Sequence, residues 1–161
     1  MMNAVAETLI SRLVRVVLVC SCSVAASFVV LTAEPLQKGD NHGGGMIVFI
    51  EQSKQYNSKV PQLHGVIAAL SDLSNTLTWF EAKATCDSLT SGGFTDWTLP
   101  GKEDLNRLFL VKEVLGGFQN SDYWSSSAYE PDSAWTQHFL DGKRNIRSRE
   151  TRLRVRPIRK F

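Results

Sequence analysis

The side chains best suited to chemistry in this sequence gather at its C-terminal end. From Lys143 to Lys160 stand nine basic residues, Lys143, Arg144, Arg147, Arg149, Arg152, Arg154, Arg156, Arg159 and Lys160, against one acid, Glu150. They are half of the chain's 18 Lys and Arg, on a body whose net charge is only +2. Guanidinium forks match sulfate, phosphate and carboxylate oxygens two at a time. Arg152, Arg154 and Arg156 alternate with Leu153 and Val155, which predicts a strand with arginines along one face, roughly 6–7 Å apart. Lys143, Arg144, Arg147 and Arg149 extend that surface into the preceding hairpin. The competing reading is a solvated edge strand whose charge discourages sheet-to-sheet aggregation.

A second group lies just upstream. Trp124, Tyr129, Asp132, Trp135 and Gln137 are distributed over two short strands and the turn between them. Aromatic residues and arginine are the usual anchors of binding surfaces. The candidate ligand-binding set is therefore Trp124, Tyr129, Asp132, Trp135 and Gln137, with Arg144, Arg147, Arg149 and Arg152 beside them.

Other chemistries find little support. His42, His64 and His138 lack metal-ligand spacing, and no metal or other cofactor is expected. No Ser/His/Asp order or nucleophile elbow stands out. Gly43-Gly44-Gly45 lacks the Gly-Lys-Ser/Thr of a phosphate loop and precedes a strand rather than a helix. Cys86 shares a helix face with Trp79, Ala82 and Leu89, which predicts a buried, inert thiol. No catalytic residue is assigned, and a non-enzymatic role is expected.

The elements that must position these groups follow from pattern. Met46–Ile50 and His64–Leu70 read as two strands of a hairpin, joined by a polar loop from Glu51 to Gln62. Thr78-Trp79-Phe80-Glu81 fits a capping box, and helical spacing continues to about Thr90, where Gly92 or Gly93 stops it. Pro100 makes Trp97–Leu99 extended. Asp96 beside Trp97 reads as a turn carboxylate next to a core indole, or else as a ligand or metal contact. A second helix then begins after Gly101, with Glu103 and Asp104 in its first turn and Leu105, Leu108 and Phe109 on one face. Short strands follow at Tyr123–Ser127 and Ala134–Phe139, with turns at Glu130–Ser133 and Asp141-Gly142. In the last strand Leu153, Val155 and Ile158 face inward, and Pro157 marks an edge or an end.

The N-terminus has an export pattern. Arg12 and Arg15 precede an apolar run from Val16 to Ala33 with small residues near its end. The expected division is a signal peptide or membrane anchor over 1–33, a linker over 34–45 and one domain over 46–161. Removal of the leader would leave Cys86 as the one cysteine, so the fold must rest on its apolar core. Export makes nucleic acid a poor partner, and a membrane would be met only through an uncleaved N-terminal segment.

Several segments occur in an order that resembles a known family. They are Gly39-Asp40, Gly44-Gly45-Met46-Ile47-Val48-Phe49, His64-Gly65-Val66-Ile67-Ala68-Ala69, Thr78-Trp79 with Ala82 and Cys86, Phe94-Thr95-Asp96-Trp97-Thr98-Leu99-Pro100, Tyr123-Trp124-Ser125-Ser126-Ser127, Ala134-Trp135, and Arg154-Val155-Arg156-Pro157-Ile158-Arg159. Together, from about Lys38 to Phe161, they resemble the Lcl C-terminal domain family, named for the domain that ends a bacterial collagen-like adhesin. The resemblance implies an α+β, C-type-lectin-like fold related to that of formylglycine-generating enzymes. It implies a small mixed or antiparallel sheet with two helices, a loop-rich half, and N- and C-terminal strands that pair.

The adhesin is associated with sulfated glycosaminoglycans, so the resemblance implies a secreted or envelope module for adhesion to an anionic glycan or a protein partner. A structural or assembly subunit of an envelope complex is the alternative. An enzyme of the formylglycine-generating type ranks last, because no cysteine follows Cys86. Many relatives carry a second cysteine where Val155 stands, so the disulfide they could form is absent here. Glu130-Pro131-Asp132 is similar to the calcium triplets of sugar-binding C-type lectins. One triplet cannot supply six to eight oxygens, so no calcium is expected.

Overall fold

The computed structural model describes residues 35–53 and 62–161. The leader or anchor expected over 1–33 and most of the polar loop expected between Glu51 and Gln62 lie outside the described residues. The strands are β1 (Asn41–His42), β2 (Gly45–Ser53), β3 (Gln62–Ala68), β4 (Asp122–Glu130), β5 (Ser133–His138), β6 (Arg144–Ser148) and β7 (Ile158–Lys160). The helices are α1 (Trp79–Asp87), α2 (Lys102–Leu110) and a single turn, α3 (Lys112–Leu115). The protein is α+β with two antiparallel sheets, one ordered β1-β2-β3-β7 and the other β4-β5-β6. Among the described residues no helix is long and apolar enough to cross a membrane.

The expected direct pairing of the N- and C-terminal strands is not found. β7 pairs with β3, through Val66↔Lys160, Ile67↔Arg159 and Ala68↔Ile158, and the far side of β2 is taken by β1. The reason is local. Gly43 and Gly44 have φ of +53° and +80°, the left-handed pair that a tight type I′ hairpin needs. They fold Asn41 and His42, part of the expected linker, back onto Met46 and Gly45, so that edge is occupied. The turn is also a packing surface: a Cβ on Gly92, in the loop after α1, would stand 2.4 Å from Gly44 Cα.

Both main helices begin as their sequences dictate. The Thr78 N–H donates to Glu81 Oε2 at 2.9 Å and the Glu81 N–H to Thr78 Oγ1 at 3.4 Å, a complete capping box. Gly101 caps α2 without a side chain, and the Lys102 N–H instead reaches Ser127 Oγ on β4 at 3.0 Å. Trp97 and Leu99 are buried as anchors, and Thr98 exchanges two backbone hydrogen bonds with Ile158. Two apolar clusters result. One joins Val48, Val66, Leu105, Leu108, Tyr123, Phe139 and Ile158, and the other joins Trp79, Ala82, Cys86, Leu99, Trp124, Ala134 and Val155.

The segment before β7 is not the alternating strand that its sequence suggests. Its backbone changes partner at almost every step, bonding to Leu77 at Leu153, to Trp124 at Arg154, to Leu73 at Val155 and to Ala69 at Pro157. Val155 to Arg159 are all buried, so neither face of this stretch points to water. Val155 and Ile158 lie inward as expected, but Arg156 does too, at 1% exposure.

Candidate functional site

The exposed end of the second sheet carries the clearest contact face. Trp135 on β5 lies directly opposite Ile146 on β6, so both side chains project from the same face. Tyr129 on β4 meets Trp135 edge-on, with ring centroids 5.6 Å apart. Register shifts between Trp124 and Ala128 and between Ala128 and Glu130 bend β4 there, as bulges do next to functional surfaces. Tyr129 is 51% exposed and Ile146 39%, both large values for apolar side chains. Lys102 Nζ stands 5.5 Å from the Trp135 ring centroid, within cation–π range. It is held there because α2 is tied to β4 twice, through Ser127 Oγ and through the Ser126 N–H to Pro100 O.

Arg149 rigidifies this face rather than reaching out from it. Its guanidinium lies 4.4 Å from the Trp79 ring centroid and donates to the carbonyls of Ser133 at 3.3 Å and Glu130 at 3.1 Å. The Arg149 N–H adds a bond to Asp132 O at 2.9 Å. The turn between β4 and β5 is thus fastened to α1, with Asp132 exposed at its tip.

The rest of the predicted site changes character in three dimensions. Trp124 is fully buried and donates to Leu77 O at 2.8 Å. Gln137 is buried as well, donating to Asn106 Oδ1 and Gly142 O. Neither side chain can meet a ligand. Trp124 packs against α1, and α2 lies over Gln137, so strands that alternate in sequence are covered on both faces.

The expected row of free cations does not form. Arg144 grips Glu103 through both nitrogens at 3.1 and 3.3 Å, Arg147 binds Asp122 at 2.9 Å, and Arg152 binds Glu81 at 3.0 Å. Lys143 pairs with Asp141, Lys160 with Asp104, Arg156 with Asp72 and Arg159 with Asp96. Among the described residues Arg154 is the member of the stretch with neither carboxylate nor carbonyl partner for its side chain. The acids come from all along the chain, so a segment that is strongly basic in sequence is nearly neutral where it lies.

These pairs leave their mark on the acids. The Arg159 guanidinium holds the Asp96 carboxyl below its ordinary value. The Thr78 N–H, and secondarily Arg152, does the same for Glu81. The deepest pair is Arg156 with Asp72, at 2.6 Å, and Asp72 also accepts the Tyr123 hydroxyl at 2.5 Å. Burial, reinforced by that hydrogen bond, pushes the Tyr123 hydroxyl well above the ordinary tyrosine range. Burial likewise pushes the Cys86 thiol up to about 12. Among the described residues no group of three or more His, Cys, Asp or Glu could hold a metal ion.

Residues 53–159 match the family model of the Lcl C-terminal domain. The chain belongs to the Lcl C-terminal domain family. No curated protein matches it. The matched stretch begins at the last residue of β2, so β1 and nearly all of β2 complete the first sheet from outside it. Within this Lcl C-terminal domain, Cys86 and Val155 lie in the same buried cluster. The thiol expected to be buried therefore shares its core with Val155. Lys102, Ile146 and the latch made by Arg149 had no signal in sequence, since each acts through a partner distant along the chain.

Proposed function

We propose that this chain is a non-catalytic binding module of C-type-lectin-like architecture, displayed outside the cytoplasm, whose contact face is Tyr129, Trp135, Ile146 and Lys102. The ligand class is an anionic glycan: a sugar ring stacks on the Trp135 indole while its sulfate or carboxylate meets Lys102. The observation that carries this reading is the exposed Tyr129 set edge-on against a half-buried Trp135, with an ammonium 5.5 Å from the indole centroid, on a sheet clamped by Arg149. Aromatic anchors of this kind dominate binding energy. The leader pattern from Arg12 to Ala33 supports export. The burial and raised pKa of Cys86 speak against a thiol nucleophile, and so support a role without catalysis.

The test is affinity for a sulfated glycosaminoglycan. Trp135→Ala is expected to weaken binding by roughly thirty-fold, the equivalent of about 2 kcal/mol at a hot spot. Arg152→Ser is expected to change it little. The reverse ranking would return the site to the arginine segment. Loss of glycan binding altogether, with Trp135-dependent capture of a protein, would favour the assembly role.

A further inference from the structure

The other sheet edges are covered in part among the described residues: β1 and Asp40 take the start of β2, Thr98 bridges Ile158 on β7, and the outer side of β4 is taken by Arg154 and Pro100. β6 is different. The His138 N–H bonds to Lys143 O and the Arg149 N–H to Asp132 O, which sets the parity of the β5–β6 ladder. In an antiparallel pair, hydrogen-bonded positions alternate. Asn145 and Arg147 therefore spend their backbone groups on β5, while Arg144, Ile146 and Ser148 turn theirs outward. Among the described residues the one backbone partner on that side is the Thr151 N–H on Ser148 O.

Few of the usual protections of an exposed edge are present here. β6 has no proline, no lysine and no register shift against β5, and its two arginines are neutralised by Glu103 and Asp122. The outward row is also self-complementary. Turned about a twofold axis through Ile146, Ile146 meets itself, Arg144 meets Ser148, and Asn145 meets Arg147. No cation of the strand faces its own copy.

We propose that β6 is the edge at which a second copy of this chain adds, antiparallel, centred on Ile146. Two three-stranded sheets become one continuous sheet, with Ile146 exchanging both N–H···O bonds with its counterpart. The inward ladder is untouched, so pairing needs no rearrangement of either copy. An isologous contact requires one patch that complements itself, and a foreign peptide would have no reason to find this symmetry. The twofold is perpendicular to the sheet, so the Trp135 faces of both copies lie on the same side. The dimer stands whether or not that face binds glycan.

The experiment is sedimentation velocity of the full chain over a wide concentration range, with Ile146→Lys and Ile146→Glu. Ile146 is exposed, so both variants are expected to keep the wild-type circular dichroism. Like charges directly opposite across a strand pair repel. The wild type is expected to move from monomer to dimer with concentration, each variant alone to stay monomeric, and an equimolar mixture of the two to regain the dimer. A wild type that is monomeric throughout, association that persists in Ile146→Lys, or a mixture that stays monomeric would each overturn the proposal.

Discussion

Arg156 and Arg152 look interchangeable in sequence, and the structure predicts very different costs for removing them. Arg156 is 1% exposed and makes four contacts: Asp72 Oδ1 at 2.6 Å, Gly117 O at 2.9 Å, Ala69 O at 3.2 Å, and the Phe118 ring at 4.0 Å from its centroid. Methionine keeps much of the stem volume and deletes the charge. The substitution Arg156→Met strands the Asp72 carboxylate with the Tyr123 hydroxyl and leaves two carbonyls unpaired. Breaking a buried pair from one side costs about 3–5 kcal/mol, mostly because the surviving charge stays buried. That is a large share of a domain stability of about 5–15 kcal/mol. It corresponds to a drop in melting temperature of roughly 10–20 °C.

Arg152→Met removes a pair with both partners about half exposed and screened by water, and is expected to cost far less. Urea unfolding followed by tryptophan fluorescence measures both, since the chain has four tryptophans and Trp124 adjoins Tyr123. Adding Asp72→Asn to Arg156→Met should recover part of the loss, because the stranded charge is gone. Equal costs for the two single variants would refute the reasoning. So would a double variant whose cost is the plain sum of its parts.

Other consequences are simpler to check. Thr78→Ala removes one half of the capping box and should cost about 1 kcal/mol in the same urea assay. Asp96 has a depressed folded pKa, so its pair with Arg159 contributes stability above the unfolded carboxylate value of about 3.9 and loses it as pH falls through the lower folded value. Asp96→Asn should therefore flatten the acid limb of stability against pH, and an unchanged limb would count against the pair. Cys86, fully buried with its thiol pushed up to about 12, should resist a thiol-specific reagent in the folded protein and react once urea unfolds it. Fast modification under native conditions would show that the thiol is not enclosed.

Local chemistry was legible in the residues themselves. The capping box at Thr78 and Glu81, the start of α2 after Pro100, the buried Trp97 and Leu99, and the turn near Glu130–Ser133 each depend on neighbours a few positions away. The α+β class and the Lcl C-terminal domain family followed from the order of such segments. The error about the terminal strands was of another kind. Nothing in the short Asn41–His42 stretch said that it would close the edge of β2 and leave β7 to β3.

The candidate site divides along the same line. Tyr129, Asp132 and Trp135 reach the surface, while Trp124 and Gln137 do not, because α1 and α2 cover faces whose alternation alone could not reveal it. What sequence determined by itself was where turns, caps and apolar anchors fall, since these are set by bonds and torsions within a few residues. What only tertiary structure decided was which charges are free. Asp72, Glu81, Asp96, Glu103, Asp104 and Asp122 lie far along the chain from the arginines and lysine that they neutralise, and Coulomb attraction acts on distance in space, not on position in sequence.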